Sequence, residues 1–329
     1  MAEQPVAVVT GASSGIGRAI ARELADGGYA VALVARSAEG LEGALRDVER
    51  AGSRGVTLPT DVADAAQVEA AAVAAEQALG PIDVWVNDAM VTVFAPFREV
   101  EPEEFRRATD VTYHGTVWGT RAALKRMVPR NSGTVIQVGS ALAFRGIPLQ
   151  APYCGAKHAI KGFTESVITE LIHQDSDVHV GMVHLPGVNT PQFDHCRSKM
   201  PKHPMPVPPV YQPEVAARAV LMAVRKRRRQ VFVGIPTVYT IWGNRLVPWL
   251  VDRYLARTAV NGQQTDQPAP RAEHDNLFEP SPGDPGARGA FDDQAHERSV
   301  QLWAIEHRAH LLAGAGAAAV AVAVALTRS

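Results

Sequence analysis

Short apolar runs alternate with helical patterns along the first 235 or so residues of the chain. Val6-Ala7-Val8-Val9 contains no polar position and predicts a buried strand. Ile20 and Leu24 then recur at helical spacing, and Gly27-Gly28 ends that helix. Ala30–Ala35 predicts a second strand and Ala38–Ala51 a helix; Gly55–Leu58 and Asp64–Leu79 repeat the pair. Asp83–Val86 predicts a fourth strand, and Pro102–Met127 a long helix opened by Glu101 and Pro102. Strands at Thr134–Val138, Val178–His184 and Val231–Val233, with helices at Tyr153–His173 and Glu214–Arg225, complete the series. Alternation of this kind predicts an α/β fold, a doubly wound parallel sheet with helices on both faces and right-handed crossovers. Ligands in such a sheet bind beyond the carboxyl ends of the strands.

The pattern changes after that point. Residues 1–260 read as the main domain and 261–329 as a C-terminal extension. Trp242, Pro248, Trp249 and Leu250 form an apolar patch, and Asn261–Ala295 is rich in Pro, Gly, Asp and Gln. That composition reads as a linker, dispensable for cofactor binding. Leu311–Leu326 is small and apolar throughout. As a helix it would reach about 24 Å against a hydrocarbon core of roughly 30 Å, too short for a full span. A membrane-touching helix and a helix packed on a partner subunit remain its alternatives.

Composition adds three restrictions. A net charge of −1 over 329 residues provides no field to steer nucleic acid, and no nucleic-acid partner is expected. The run Arg225-Lys226-Arg227-Arg228-Arg229 follows a helix and reads as a solvated turn, with a nucleic-acid or membrane patch as the alternative. Two cysteines fit a reducing compartment, and Met1–Pro5 lacks the basic start of a signal peptide, so a cytoplasmic location is expected. His195, Cys196 and His203 lack a second pair at ligand spacing, so no metal site is expected.

The chemistry concentrates in two stretches. Thr10-Gly11-Ala12-Ser13-Ser14-Gly15-Ile16-Gly17 lies between a strand and a helix. Glycines there let backbone approach a pyrophosphate, and the helix start offers free N–H groups. Further on, Tyr153 and Lys157 stand one helical turn apart. A tyrosine titrates at roughly 10, and lowering it to about 7 takes roughly 4 kcal/mol, which a fixed cation in a partly dry cleft can supply. The pair predicts an acid/base group poised near neutral pH. Ser140 ends the apolar strand Val135–Val138 at the same edge, as a site group or as a turn cap. Arg36 closes the second strand where a carboxylate would favour NAD(H). Guanidinium suits a 2′-phosphate, so NADP(H) is the preferred cofactor, NAD(H) the alternative, and a solvated charge the bland reading.

Together, Thr10-Gly11-x-x-x-Gly15-x-Gly17, Ser140, Tyr153-x-x-x-Lys157, Asp61-Val62 and Pro186-Gly187-Val188-Asn189-Thr190 resemble the short-chain dehydrogenase/reductase family over about residues 5–235. The resemblance implies a Rossmann fold and hydride transfer between a nicotinamide and a carbonyl/alcohol substrate. It implies a catalytic set of Ser140, Tyr153 and Lys157, with Thr112 where the family carries an asparagine that holds a relay water. It also implies cofactor contacts from Thr10, Gly11, Ser13, Ser14, Gly15, Ile16, Gly17, Asp61, Val62, Asn87 and Ala89. Tyr153, Lys157, Pro186, Gly187, Val188 and Thr190 complete that set, and a homo-oligomer is implied. In Asn87-Asp88-Ala89-Met90 the last residue replaces the family's usual glycine and adds a side chain facing the pocket. Phe193–Val210 reads as a semi-rigid lid; with Phe94, Phe144, Ile147 and Leu149 it suggests an apolar alcohol or ketone. The rival functions are a dinucleotide-binding sensor or scaffold of the same fold, and an epimerase or dehydratase.

Overall fold

The computed structural model of the chain describes residues 4–269 and 275–308; the apolar run 311–326 lies outside them. Seven parallel strands form the central sheet: β1 (Val6–Thr10), β2 (Ala30–Ala35), β3 (Gly55–Pro59), β4 (Ile82–Asn87), β5 (Thr134–Ser140), β6 (His179–Leu185) and β7 (Gln230–Phe232). Their order is β7-β6-β5-β4-β1-β2-β3. The order reverses at β1, so the carboxyl ends of β1 and β4 flank a crevice. Every residue of β1 and β2 is buried, as their unbroken apolar runs require when helices cover both faces.

The helices are α1 (Gly15–Asp26), α2 (Ala38–Arg50), α3 (Ala65–Leu79), α4 (Pro102–Thr109), α5 (Gly115–Met127) and α6 (Ala151–His173), followed by α7 (Gln192–His195), α8 (Pro213–Arg225), α9 (Gly234–Leu246), α10 (Pro248–Thr258) and α11 (Val300–Glu306). Ile20, Leu24, Leu41, Val48 and Val220 pack α1, α2 and α8 on one face of the sheet. Val68, Ala72, Ala122, Met127 and Ile168 pack α3, α5 and α6 on the other. The long helix expected over Pro102–Met127 starts with a capping box between Glu101 and Glu104, but Asp110–His114 forms a π turn that separates α4 from α5. Among the described residues no helix is long and apolar enough to cross a membrane.

The described part of the extension, read from composition as a loop or partly ordered linker, is packed onto the domain. Gln264–Pro268 pairs antiparallel with Lys202–Pro204. Leu277, Phe291 and Leu302 are buried at 0%, 6% and 3% exposure, so the segment is pinned to the domain at three points. Its path is irregular, which explains the Pro and Gly content, and the anchors are too far apart to register as a period. The basic run forms the turn between α8 and β7, where Arg225 donates to the Gly27 carbonyl and Lys226 to that of Glu306.

Candidate active site

The strand-to-helix turn after β1 is built for close approach. Gly11 sits at φ +74, and a Cβ there would lie 2.9 Å from the Ala89 Cα. A Cβ on Gly17 would meet the Gly11 carbonyl oxygen at 2.3 Å, so α1 can leave the sheet at this angle only with glycine. Ser14 occupies the N-cap position of α1 without a side-chain cap bond, so the helix start is not capped by its own serine. The Gly15 N–H donates to the Gly286 carbonyl of the extension. Gly11, Ser13, Ser14, Gly15 and Ile16 thus line a cleft of 180 Å³ together with Arg36, Asp61, Val62 and Ala89. The uncapped helix start, the positive-φ glycines and the guanidinium fit a dinucleotide phosphate site.

Arg36 is held rather than solvated. Its guanidinium donates to the Asn276 and Phe278 carbonyls at 2.5 and 2.6 Å. Among the described residues no carboxylate comes within 4 Å of it, whereas the adjacent Asp61 pairs with Arg107 at 2.7 Å. Burial pushes Arg36 below its ordinary pKa, with Arg107 adding to the effect. A cation bound only to neutral carbonyls remains available to an anion.

A second cavity of 390 Å³ opens beside the first and shares Ile16, Asp88, Met90, Thr190 and Gln192 with it. Ser140, Tyr153 and Lys157 converge on its wall. The Ser140 Oγ accepts the Leu142 N–H at 3.1 Å and hydrogen-bonds the Tyr153 hydroxyl, so it is both a turn cap and a site group. The Lys157 ammonium donates to the Val138 carbonyl at 2.7 Å and stands 5.5 Å from the Tyr153 ring centroid. The electrostatics reverse the expected lowering of the Tyr153 pKa. Burial pushes the phenol well above 10, and its bond to Ser140 offsets this only in part. Burial also draws Lys157 down to about 8, against the pull of the Asp88 carboxylate.

Asp88 carries a role that reading the sequence missed. It lies part-buried where the two cavities meet, and desolvation there pushes its carboxyl up to about 7, although Lys157 and the Gly17 N–H draw it down. The available signal was a carboxylate within Asn87-Asp88-Ala89-Met90, between the expected cofactor contacts Asn87 and Ala89. Contacts from the extension were missed as well: Asn276, Pro280, Ser281 and Pro285 line the cofactor cleft.

Four residues expected to touch ligand line neither cavity. The Thr10 hydroxyl accepts the Asp88 and Ala89 N–H groups at 3.0 and 3.2 Å, tying β1 to the end of β4. Gly17 acts through its N–H to Asp88 and its lack of a side chain. Asn87 is buried, accepting from the Trp85 indole at 2.8 Å and donating to Thr120 and Gln137. Thr112 is fully buried, and its hydroxyl both accepts the Val91 N–H at 3.2 Å and donates to the Val91 carbonyl at 3.1 Å. With those partners engaged, the structure places Thr112 as a support for the segment after β4. Asn87→Ala is accordingly expected to cost about 1–3 kcal/mol of stability, because the Trp85 N–H is left unpaired. Dinucleotide affinity should be unchanged, as thermal melts and a binding titration on the variant will read.

Among the proposed apolar substrate contacts, Ile147, Phe193 and Val207 line the cavity. Phe94 and Leu149 instead form a small core with Cys196, and Phe144 packs on His184 and Phe232. Met90 faces both cavities, as its replacement of glycine suggested. Pro186, Gly187 and Val188 border the substrate cavity, and Thr190 borders both.

Residues 5–201 match the family model described as short chain dehydrogenase. The Bacillus subtilis (strain 168) protein named uncharacterized oxidoreductase YxnA is 33% identical over 276 residues, 83% of this chain and 78% of that one. Among solved structures, the alcohol dehydrogenase of the archaeon Thermococcus sibiricus, complexed with 5-hydroxy-NADP, aligns with a TM-score of 0.61 and 29% identity, covering 70% of this chain and 96% of that one. A short chain dehydrogenase from Mycobacterium paratuberculosis, bound to NAD, aligns with a TM-score of 0.61 and 25% identity, over 70% of this chain and 96% of that one. Related structures therefore hold either dinucleotide. With the glycine-rich cleft leading to Ser140, Tyr153 and Lys157, these likenesses place the chain in the short-chain dehydrogenase/reductase family, as an oxidoreductase acting on CH–OH and C=O groups with a dinucleotide cofactor.

Proposed function

We propose that the protein is an NADP(H)-dependent carbonyl reductase and alcohol dehydrogenase in which Tyr153 moves the proton. The convergence of Ser140, Tyr153 and Lys157 on an apolar cavity continuous with the glycine-rich cleft carries the reading. A nicotinamide dinucleotide, when bound, supplies or accepts the hydride. Tyr153 holds a proton at its phenolic oxygen, beside the Ser140 hydroxyl, where a substrate oxygen can replace their mutual bond. Ser140 orients that oxygen, and the Lys157 ammonium stabilises the negative charge that Tyr153 acquires on giving up its proton. Thr190 and the Pro186–Val188 turn line the same cavity. The retained side chains argue against a sensor, which requires dinucleotide binding but no acid beside a substrate cavity. NADP(H) is favoured by Arg36, whose guanidinium lines the cleft and, among the described residues, pairs with no carboxylate.

A screen of ketones and alcohols with NADPH and NADH, followed at the absorbance of the reduced nicotinamide, tests this directly. Turnover of at least one ketone, with a higher kcat/KM for NADPH, is expected; dinucleotide binding without turnover of any carbonyl or alcohol would favour the sensor.

The electrostatics also set a pH dependence. The raised Tyr153 pKa keeps its proton in place through neutral pH, the form that reduction uses. Lys157 is charged below about 8 and loses its proton above it. Ketone reduction should therefore hold steady through neutral pH and fall above about pH 8, while alcohol oxidation, which starts from the phenolate, rises with pH. Parallel pH profiles of the two directions provide the check. Profiles of the same shape in both would remove Tyr153 from proton transfer.

A further inference from the structure

Two consecutive helices carry an apolar surface that the core does not use. Ile235, Tyr239, Trp242 and Leu246 recur every three to four residues on α9 and are 63%, 57%, 54% and 70% exposed. On α10, Trp249, Leu250 and Tyr254 are 58%, 50% and 64% exposed. Scattered apolar side chains on a surface call for no explanation, but a run of this size along one hairpin marks a contact surface.

Charge and residue type select the occupant. Arg245, Arg253 and Arg257 are exposed on the same two helices, and the Arg253 guanidinium stands 5.4 Å from the Trp249 ring centroid. The acid of the hairpin, Asp252, is bound by Arg145 at 2.5 Å, so the exposed side is cationic. Tryptophan and tyrosine beside arginine is the composition of a helix lying in a bilayer interface, where rings sit at headgroup depth and cations meet anionic lipid. The hairpin also forms a wall of the substrate cavity. Tyr239 and Tyr254 line that cavity while remaining more than half exposed, which makes them its rim.

We propose that the α9–α10 hairpin docks on an anionic lipid surface and seats the mouth of the substrate cavity there, so that the substrate is a long-chain, bilayer-partitioned ketone or alcohol. The substrate class rests on the oxidoreductase reading above; the docking does not. Co-sedimentation of the full chain with phosphatidylcholine vesicles, with and without phosphatidylserine, tests the docking alone. The chain is expected to pellet with the anionic vesicles and to be released by high salt. Trp242→Ser with Trp249→Ser should lower the bound fraction at least about tenfold, since interfacial binding scales with apolar area. Arg253→Glu with Arg257→Glu should lower it on anionic vesicles only. Neither tryptophan lines the substrate cavity, so turnover of a short, water-soluble ketone should be unchanged in the first variant, which also reports that it is folded. The KM for a long-chain ketone carried in vesicles should rise.

Undiminished vesicle binding in the tryptophan variant would assign attachment to residues 309–329 and overturn the proposal. So would a dimer in solution that this variant converts to monomer while vesicle binding is absent throughout, since a second copy would then cover the hairpin. Vesicle binding that follows these variants, without turnover of any alcohol or ketone, would sink the oxidoreductase reading and leave the docking in place.

Discussion

Tyr153→Phe is expected to lower kcat for ketone reduction roughly 10²- to 10⁴-fold, the range that a positioned general acid contributes, while leaving dinucleotide affinity nearly intact. The substitution removes one oxygen. It keeps the ring that the Lys157 ammonium faces, and that ammonium is bonded to the Val138 carbonyl rather than to the phenol, so the lysine has no reason to move. The raised phenol pKa sharpens the expectation, because a protonated Tyr153 is already the donor that reduction requires. Fluorescence titration with NADPH and steady-state kinetics on the same preparation separate the two effects. Turnover near that of the parent protein would refute the assignment; lost dinucleotide binding would show that the hydroxyl serves the cofactor instead.

Arg36→Ser should weaken NADPH and leave NADH almost untouched. A hydrogen bond to a charged group contributes about 1.5–3 kcal/mol, so KM for NADPH should rise roughly 10- to 150-fold and the preference between cofactors should collapse or invert. The guanidinium also fastens the extension through Asn276 and Phe278, which sets a second observable. If its role is to hold the extension alone, the variant will lose thermal stability and affinity for both dinucleotides equally. Unequal loss, confined to NADPH, is the outcome that identifies a phosphate ligand.

The residues that proved hardest to read are those whose partners are distant in sequence. Asn87 and Thr112 stand in motif positions, yet their side chains are committed to Trp85, Thr120 and Gln137 in one case and to Val91 in the other. A motif places a residue near a ligand; it does not show which of its atoms are already bonded. Asp88 went unnoticed for a related reason, since its effect depends on desolvation beside Lys157 and not on its neighbours in the chain. The substrate cavity shows the same limit. Ile147 and Phe193 were legible because they flank motifs, whereas Tyr239, Val251 and Tyr254 enter from a hairpin that the strand and helix series did not include.

What the sequence determined by itself is the sheet and the placing of the motifs at its carboxyl edge. Unbroken apolar runs and their flanking turn residues are local, and they bound β1 and β2 within a residue or so; α3 is bounded in the same way by Asp64 at its cap and Gly80 at its end. The glycine-rich turn and the Tyr153–Lys157 step are likewise local, since φ values and helical spacing follow from a few consecutive residues. Tertiary structure decided the rest. The extension binds Arg36 and Gly15 across more than 200 positions and encloses the cofactor cleft, through carbonyls that every residue possesses and no composition reveals. The direction of the Tyr153 shift was decided there too, because desolvation depends on everything packed around the phenol, whereas the sequence shows only the lysine one turn away.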